Sequence, residues 1–280
     1  MNKLLRANFT RLKKSKGFWI GMAAMILYSL AFCLNEYLNK IQYGYNTSMD
    51  AAFFSPYIAV GILIAIFCSL FIGTEYSDGT IRNKLVVGHS RSSIYLANFV
   101  VCAVAGLLMN LAYLIATCAL GIPLLGLLQT DFQIVLLLLL SGMLLTVACA
   151  AIFSLLSMLN HNKALVAVLC TVLAFAAILC AYLLDSKINA PEFLPSTSVT
   201  INSGGQAVVQ PGELVPNPSY LNNDERALYQ AVMDFLPTGQ AWQIAARNAP
   251  HLDLMFVYSG IIIVAANVFG ILLFRRKDLK

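Results

Sequence analysis

Six apolar stretches, each long enough to cross a bilayer, partition the chain at 18–37, 54–74, 94–121, 132–159, 164–184 and 254–274. A hydrocarbon core about 30 Å thick needs about 20 apolar residues per helix. The third and fourth stretches exceed that length, which implies tilt, a kink or extension beyond the membrane. Backbone groups in lipid must be satisfied within their own segment, so the stretches are predicted to be helices. The period-2 alternation of a membrane barrel is absent. The pattern therefore predicts an all-α polytopic membrane protein with six transmembrane helices.

Two polar segments carry patterns of their own. In 1–16, Leu4, Leu5, Phe9 and Leu12 recur at helical spacing, while Lys3, Arg6, Lys13 and Lys14 take the rest of the wheel. That predicts an interfacial amphipathic helix lying on a leaflet; a basic flank with no further task is the alternative. Between the second and third spans, 74–93 turns polar although a simple reversal needs far fewer residues. Ser77 or Asp78 can accept hydrogen bonds from the free amides of a helix start, and Asp78 suits its positive end. Ile81, Leu85 and Val86 then share a face, Arg82, Lys84 and Arg91 project toward water or lipid phosphates, and Gly88 ends the helix. A short helix over 77–87 with one apolar stripe suits a groove on a soluble partner, or simply the headgroup layer.

The remaining loops differ in size. Residues 129–131 form a tight turn and 38–53 is polar, whereas 185–253 holds seven of the nine prolines. Within it, 197–202 and 206–210 flank Ser203-Gly204-Gly205 as a β-hairpin. Asn222 or Asn223 can cap a helix carrying Ala227, Leu228, Ala231, Val232 and Phe235. Pro237-Thr238-Gly239 breaks it, and 240–247, with Trp242, is predicted to rest near the outer surface as a short amphipathic helix. The segment reads as a small α+β lid or vestibule, or as a loop without a task.

Charge orients this arrangement. Of the eighteen Lys and Arg, fourteen fall on the side of both termini and of 74–93; only Lys40, Lys187, Arg226 and Arg247 fall on the other. Three acidic residues (Glu75, Asp78, Asp278) share the basic side and ten lie opposite, giving +11 against −6 and matching the net +5. Cationic loops stay inside, so both termini are expected to be cytoplasmic and 185–253 extracellular. The resulting divisions are 1–16 interfacial helix, 17–184 spans one to five with the helix 77–87, 185–253 extracellular segment, 254–274 span six, and 275–280 basic tail.

Composition agrees: 59% hydrophobic, 11% charged and a mean hydropathy of +0.76, against about 25% charged residues in soluble domains. The basic balance signals orientation and lipid headgroups, not nucleic acid. All seven cysteines lie inside the spans, which suits small apolar packing residues and no disulfide framework. Gly17 and Gly21 form one Gly-x-x-x-Gly at the mouth of the first span, a possible contact between two copies.

No catalytic set emerges. His89, His161 and His251 are scattered, and neither a His-Glu-x-x-His, a Gly-x-Ser-x-Gly nor a Gly-x-x-x-x-Gly-Lys-Ser/Thr phosphate loop is present. Charges inside the spans are nearly absent, Glu36 standing next to the end of the first, and the interior offers neutral groups such as Asn110 and Asn267, which are expected to bond between helices. An ion-coupled carrier needs an ionisable relay, so the energy source is expected outside the chain.

Glu75-Tyr76-Ser77-Asp78-Gly79-Thr80, after the second of six spans, resembles the Glu-x-x-x-Gly-Thr signature of ABC-2 type transporter permeases. The basic N-terminal helix, the large loop before span six, Leu236-Pro237-Thr238-Gly239 and the basic tail are similar to the family's layout. The resemblance implies that Glu75 closes span two and anchors the turn, that Gly79 permits close approach, and that Thr80 to Val86 form a coupling helix. Glu75, Ser77, Asp78, Gly79, Thr80, Ile81, Arg82, Lys84 and Leu85 would then serve coupling to a separate ATP-binding subunit. It also implies two permease chains, identical or different, with two ATPases that carry the ATP and Mg, so that no cofactor or metal sits in this chain. The path would run between the permeases along spans one, two and five of a prokaryotic plasma membrane. An apolar, charge-poor pathway suits a hydrophobic or amphipathic cargo such as an antimicrobial peptide, a drug or a lipid. From the residues alone two rivals stay open: an ATP-independent carrier or channel, and a membrane sensor or assembly protein.

Overall fold

A computed structural model describes residues 1–44, 48–201 and 207–277, with side chains outside 197–212. It comprises α1 (Asn2–Lys14), α2 (Lys16–Tyr43), α3 (Met49–Phe54), α4 (Pro56–Ser77), α5 (Thr80–Val86), α6 (Arg91–Leu125), α7 (Phe132–Leu159), α8 (Lys163–Ile188), β1 (Phe193–Ile201), β2 (Ala207–Pro216), α9 (Asn223–Phe235), α10 (Pro237–Ala246) and α11 (Leu252–Arg276). Six units are long and apolar enough to cross a membrane: α2, α3 with α4, α6, α7, α8 and α11. Every span but one outruns its apolar stretch; α7 coincides with 132–159. The long third span, α6, has 35 residues with Pro123 inside its last turn. At about 1.5 Å per residue it is about 52 Å long and overhangs a 30 Å core.

The spans are not equal. In α3–α4, α6 and α7 over half of the most apolar window is buried (56% each), against 28% in α2 and 22% in α8 and α11. The first three form the packed centre; the others present Leu, Val and Phe side chains outward. Close approach at the centre uses glycine. A Cβ on Gly142 would meet the Tyr57 ring at 2.2 Å, and one on Gly270 the Tyr95 ring at 2.3 Å.

The second span is interrupted without losing its hydrogen bonding. Pro56 opens α4 and, having no N–H, leaves the Ala52 carbonyl without its helical donor. The Tyr113 hydroxyl (2.8 Å) and the Ser55 hydroxyl (3.1 Å) donate to that carbonyl instead. At the same end, the buried Asp50 carboxylate accepts from the amides of Gln129 and Thr130, each at 3.0 Å, and so fixes the turn between α6 and α7.

Several expectations are corrected. The stripe of α1 does not lie open to lipid: Leu4 and Leu12 are buried in the bundle, with Leu5 and Phe9 packed against it. Much of the supposed polar loop 38–53 is helix, since α2 runs to Tyr43 and α3 begins at Met49. Asn110 does bond between helices, donating to the Thr146 hydroxyl at 2.8 Å, but Asn267 donates to Ile263 O within α11.

The segment between the fifth and sixth spans is α+β. β1 and β2 pair antiparallel from Phe193↔Pro216 to Ile201↔Ala207, so the expected hairpin is longer than drawn and its turn lies outside the described residues. Asn222 caps α9 in a capping box with Glu225. The face of α9 with Leu228 and Val232 points outward, and Met233 and Asp234 point in. The reason is the next helix. α9 breaks before Pro237 as expected, but after one extended residue, Leu236, Pro237 itself begins α10. Instead of resting on the surface, α10 buries Gln240, Ala241, Gln243 and Ile244, and Thr238 donates to Ala177 O of α8 at 2.8 Å. Gly239 is required at the joint, where a Cβ would sit 2.1 Å from Met233 O. Asp234 is the polar centre: it accepts from Gln230 (2.7 Å) and Gln243 (3.0 Å) and pairs with His251 (2.9 Å).

Candidate functional site

The polar insert after the second span is a seven-residue helix held by its neighbours. Its start is not capped by a side chain. Gly79, at φ +67, turns the chain in the left-handed region, and neither Ser77 nor Asp78 bonds the first turn. Ser77 instead donates to Thr74 O and lies beside Asp78. At the other end Gly88, at φ +93, reverses the chain as expected, with its amide and that of His89 donating to Leu85 O and Lys84 O.

Glu75 organises the surroundings. Its side chain is fully buried, and Oε1 accepts from both Arg11 of α1 and Lys84 of α5. Oε2 accepts from Asn98 Nδ2 of α6 at 2.8 Å. Asn98 Oδ1 accepts from Asn8 Nδ2 of α1 at 2.9 Å, and Asn8 Oδ1 accepts from Lys84 Nζ at 2.9 Å. The hydrogen bonds thus close a ring, Glu75–Lys84–Asn8–Asn98, with one residue from each of α4, α5, α1 and α6. Arg11 adds a second hold, donating to Phe71 O at 3.1 Å and stacking 3.7 Å over the Phe71 ring.

Two cations against one carboxylate leave this centre net positive. Burial pushes both the Lys84 ammonium and the Arg11 guanidinium below their ordinary pKa, and Glu75 opposes that shift in each case.

A second set of bonds lies beside the first. Arg91, at the start of α6, donates to Phe274 O (3.2 Å), Arg275 O (3.1 Å) and Lys277 O at the end of α11. Lys277 donates to the Tyr76 hydroxyl and to Met158 O, both at 3.0 Å, and Tyr76 also reaches Met158 O. The last turns of α4, α7 and α11 are thereby tied to the first turn of α6.

The expected site residues thus divide into two sets. Glu75, Ile81 and Lys84 face inward, Ile81 being fully buried. Leu85 packs against the core and Thr80 is half-buried. Ser77, Asp78 and Arg82 face out, with Gly79 half-buried at the turn. Contrary to expectation, Lys84 and Arg91 do not project into solvent, and Val86 leaves the apolar stripe: Val86 is 85% and Val87 76% exposed. The physical reason is the buried charge of Glu75, which draws Lys84 inward and rotates Val86 outward. Gly21, one of the two proposed dimer-contact glycines, packs within the chain, where a Cβ would meet Met109 at 2.4 Å; Gly17 has open space beyond Ser15.

Asn8, Asn98, Tyr76 and Lys277 escaped the sequence reading. Asn8 sits in register with Leu4 and Leu12, so a polar residue on the apolar stripe was the available signal; Asn98 was, with Asn110, one of two amides in a mostly apolar span.

No curated protein matches the chain. Residues 4–177 match the ABC-2 family transporter proteins, a stretch that contains α1, all five first spans up to the middle of α8, and the Glu75 ring. With more than half its length covered and six membrane-crossing helices, the chain belongs to the ABC-2 transporter family of multi-pass membrane proteins.

Proposed function

We propose that this chain is the membrane-spanning permease subunit of an exporter powered by a separate ATP-binding subunit, and that α5 is the point where the two meet. One observation carries the reading: Lys84 fastens α5 to α4 and α1, and Ile81 is buried, while Val86 and Val87 stand exposed at its tip. An exposed apolar pair on a short clamped helix, flanked by Arg82 and Asn83, suits a groove on a soluble partner. Force applied there passes into α1, α4 and α6 without first bending the turn.

Both termini and α5 would lie in the cytoplasm, an orientation that the Lys and Arg distribution supports, and the cell would be prokaryotic. ATP and Mg would stay on the partner. A second permease chain, identical or not, would complete the assembly, and the weakly buried α2 and α8 supply the outward faces for it. The apolar spans favour a hydrophobic or amphipathic cargo.

The test is co-purification. With Val86→Glu and Val87→Glu together, membrane insertion and yield stay at wild-type levels while the ATP-binding subunit encoded with the chain no longer co-purifies. Retention of that subunit and of coupled ATP hydrolysis in the double variant would overturn the proposal.

A further inference from the structure

A crevice of about 440 Å³ separates α2 from α4 near the face that carries both termini, within the range of about 300–1,000 Å³ typical of ligand pockets. Its lining includes three cations, Arg11, Lys14 and Lys163, and no carboxylate. They gather at one end for structural reasons. Lys14 is the last residue of α1, Lys163 the first of α8, and Gly73 admits the Lys163 backbone so closely that a Cβ there would lie 3.2 Å from Lys163 Cα. Arg11 already answers Glu75, whereas Lys14 and Lys163 take part in none of the ion pairs among the described residues.

From this cationic end the wall turns apolar, through Leu70 and Phe67 to Leu63 on α4, with Ile20 opposite on α2. Thr74 to Leu63 is eleven residues of helix, about 16 Å. On the α2 side the crevice is lined by Ile20, which is exposed, and Trp19 and Leu27 of the same helix are exposed and apolar as well, a surface suited to lipid rather than to water.

The geometry points to this crevice as a binding site for one anionic phospholipid from the leaflet on the side of the termini. Lys14 and Lys163 hold the phosphate beside Arg11, and an acyl chain lies along the α4 wall. A free phosphate would use the cations and leave the apolar wall empty; a zwitterionic lipid would bring its own cation to three others. The inference depends on the membrane placement of the helices, not on the exporter reading, and its test needs no ATPase.

The full-length chain is released into the gas phase from nanodiscs of equal phosphatidylglycerol and phosphatidylcholine, and the lipid it retains is counted by native mass spectrometry. The wild type keeps one phosphatidylglycerol. Each lysine is worth about fivefold, so Lys14→Gln with Lys163→Gln lowers retention about 25-fold, and Gly17→Leu, which has room and narrows the crevice, lowers it as well. Lys3→Gln with Arg6→Gln, on the exposed side of α1, leaves retention unchanged. Elution and thermal midpoint are checked for every variant. Equal retention of the two lipids, wild-type retention in Lys14→Gln/Lys163→Gln, an equal loss in Lys3→Gln/Arg6→Gln, or displacement by millimolar inorganic phosphate would each overturn the assignment.

Discussion

Replacing Glu75 with Gln tests the ring most directly. The change keeps the shape and leaves an oxygen that can still accept from Asn98. It removes the one negative charge that answers Arg11 and Lys84, whose side chains are 29% and 11% exposed. Breaking a buried pair from one side costs about 3–5 kcal/mol because the partner charge is left uncompensated. Arg11 is partly solvated and partly held by Phe71, so the lower end applies: about 3 kcal/mol, a factor of about 150 in the unfolding equilibrium. Lys84→Met should cost less, since it leaves Arg11 and Glu75 as a balanced pair. Glu75→Gln combined with Lys84→Met should then recover at least about 1 kcal/mol relative to Glu75→Gln alone, inside the usual range of coupling between contacting residues. The assay is reversible unfolding of the purified chain in mild detergent for the four members of the cycle. If Glu75→Gln costs under about 0.5 kcal/mol, or the double variant is no better than Glu75→Gln, the charge argument fails.

Two further outcomes follow from other polar contacts. Asp50→Ala removes two charge-assisted bonds to the amides of Gln129 and Thr130; it should cost about 3 kcal/mol and open the α6–α7 turn to protease, and an unchanged thermal midpoint with a protected turn would contradict that. Lys277 is pushed down to about 8 by burial against Tyr76 and Met158. Between pH 8 and the ordinary lysine range the unfolded chain therefore binds more protons than the folded one, so stability rises with pH across that window; the rise in thermal midpoint should flatten in Lys277→Met, and an identical slope in both proteins would refute it.

The spans, their number and the α+β segment were legible because burial in lipid imposes a long apolar run whatever packs beside it. The position of α5 was legible from its glycines and its polar setting. Its rotation was not. Helical spacing grouped Ile81, Leu85 and Val86, but which face turns inward depends on the burial of Glu75, nine residues before Lys84, which no local pattern encodes. Likewise Asn222 announced α9, whereas the inward turn of Asp234 and the burial of α10 rest on contacts between distant segments that no local pattern encodes. The ring itself joins residues 8, 75, 84 and 98; Glu75 and Lys84 were expected at the site, whereas the amides at 8 and 98 that close the ring come from distant segments.

The grip of Arg91 on the final carbonyls of α11 has a mechanical sequel. Residues 2–14 are moored through Asn8 and Arg11, and the last helix through its terminal turn, to the same slab that carries α5. Among the described residues, neither the first helix nor the last is left loose to absorb a displacement of that slab. On the proposed reading, a thrust at Val86 would then be spent on relative motion between the slab and the far halves of the spans, which is where a passage would have to widen.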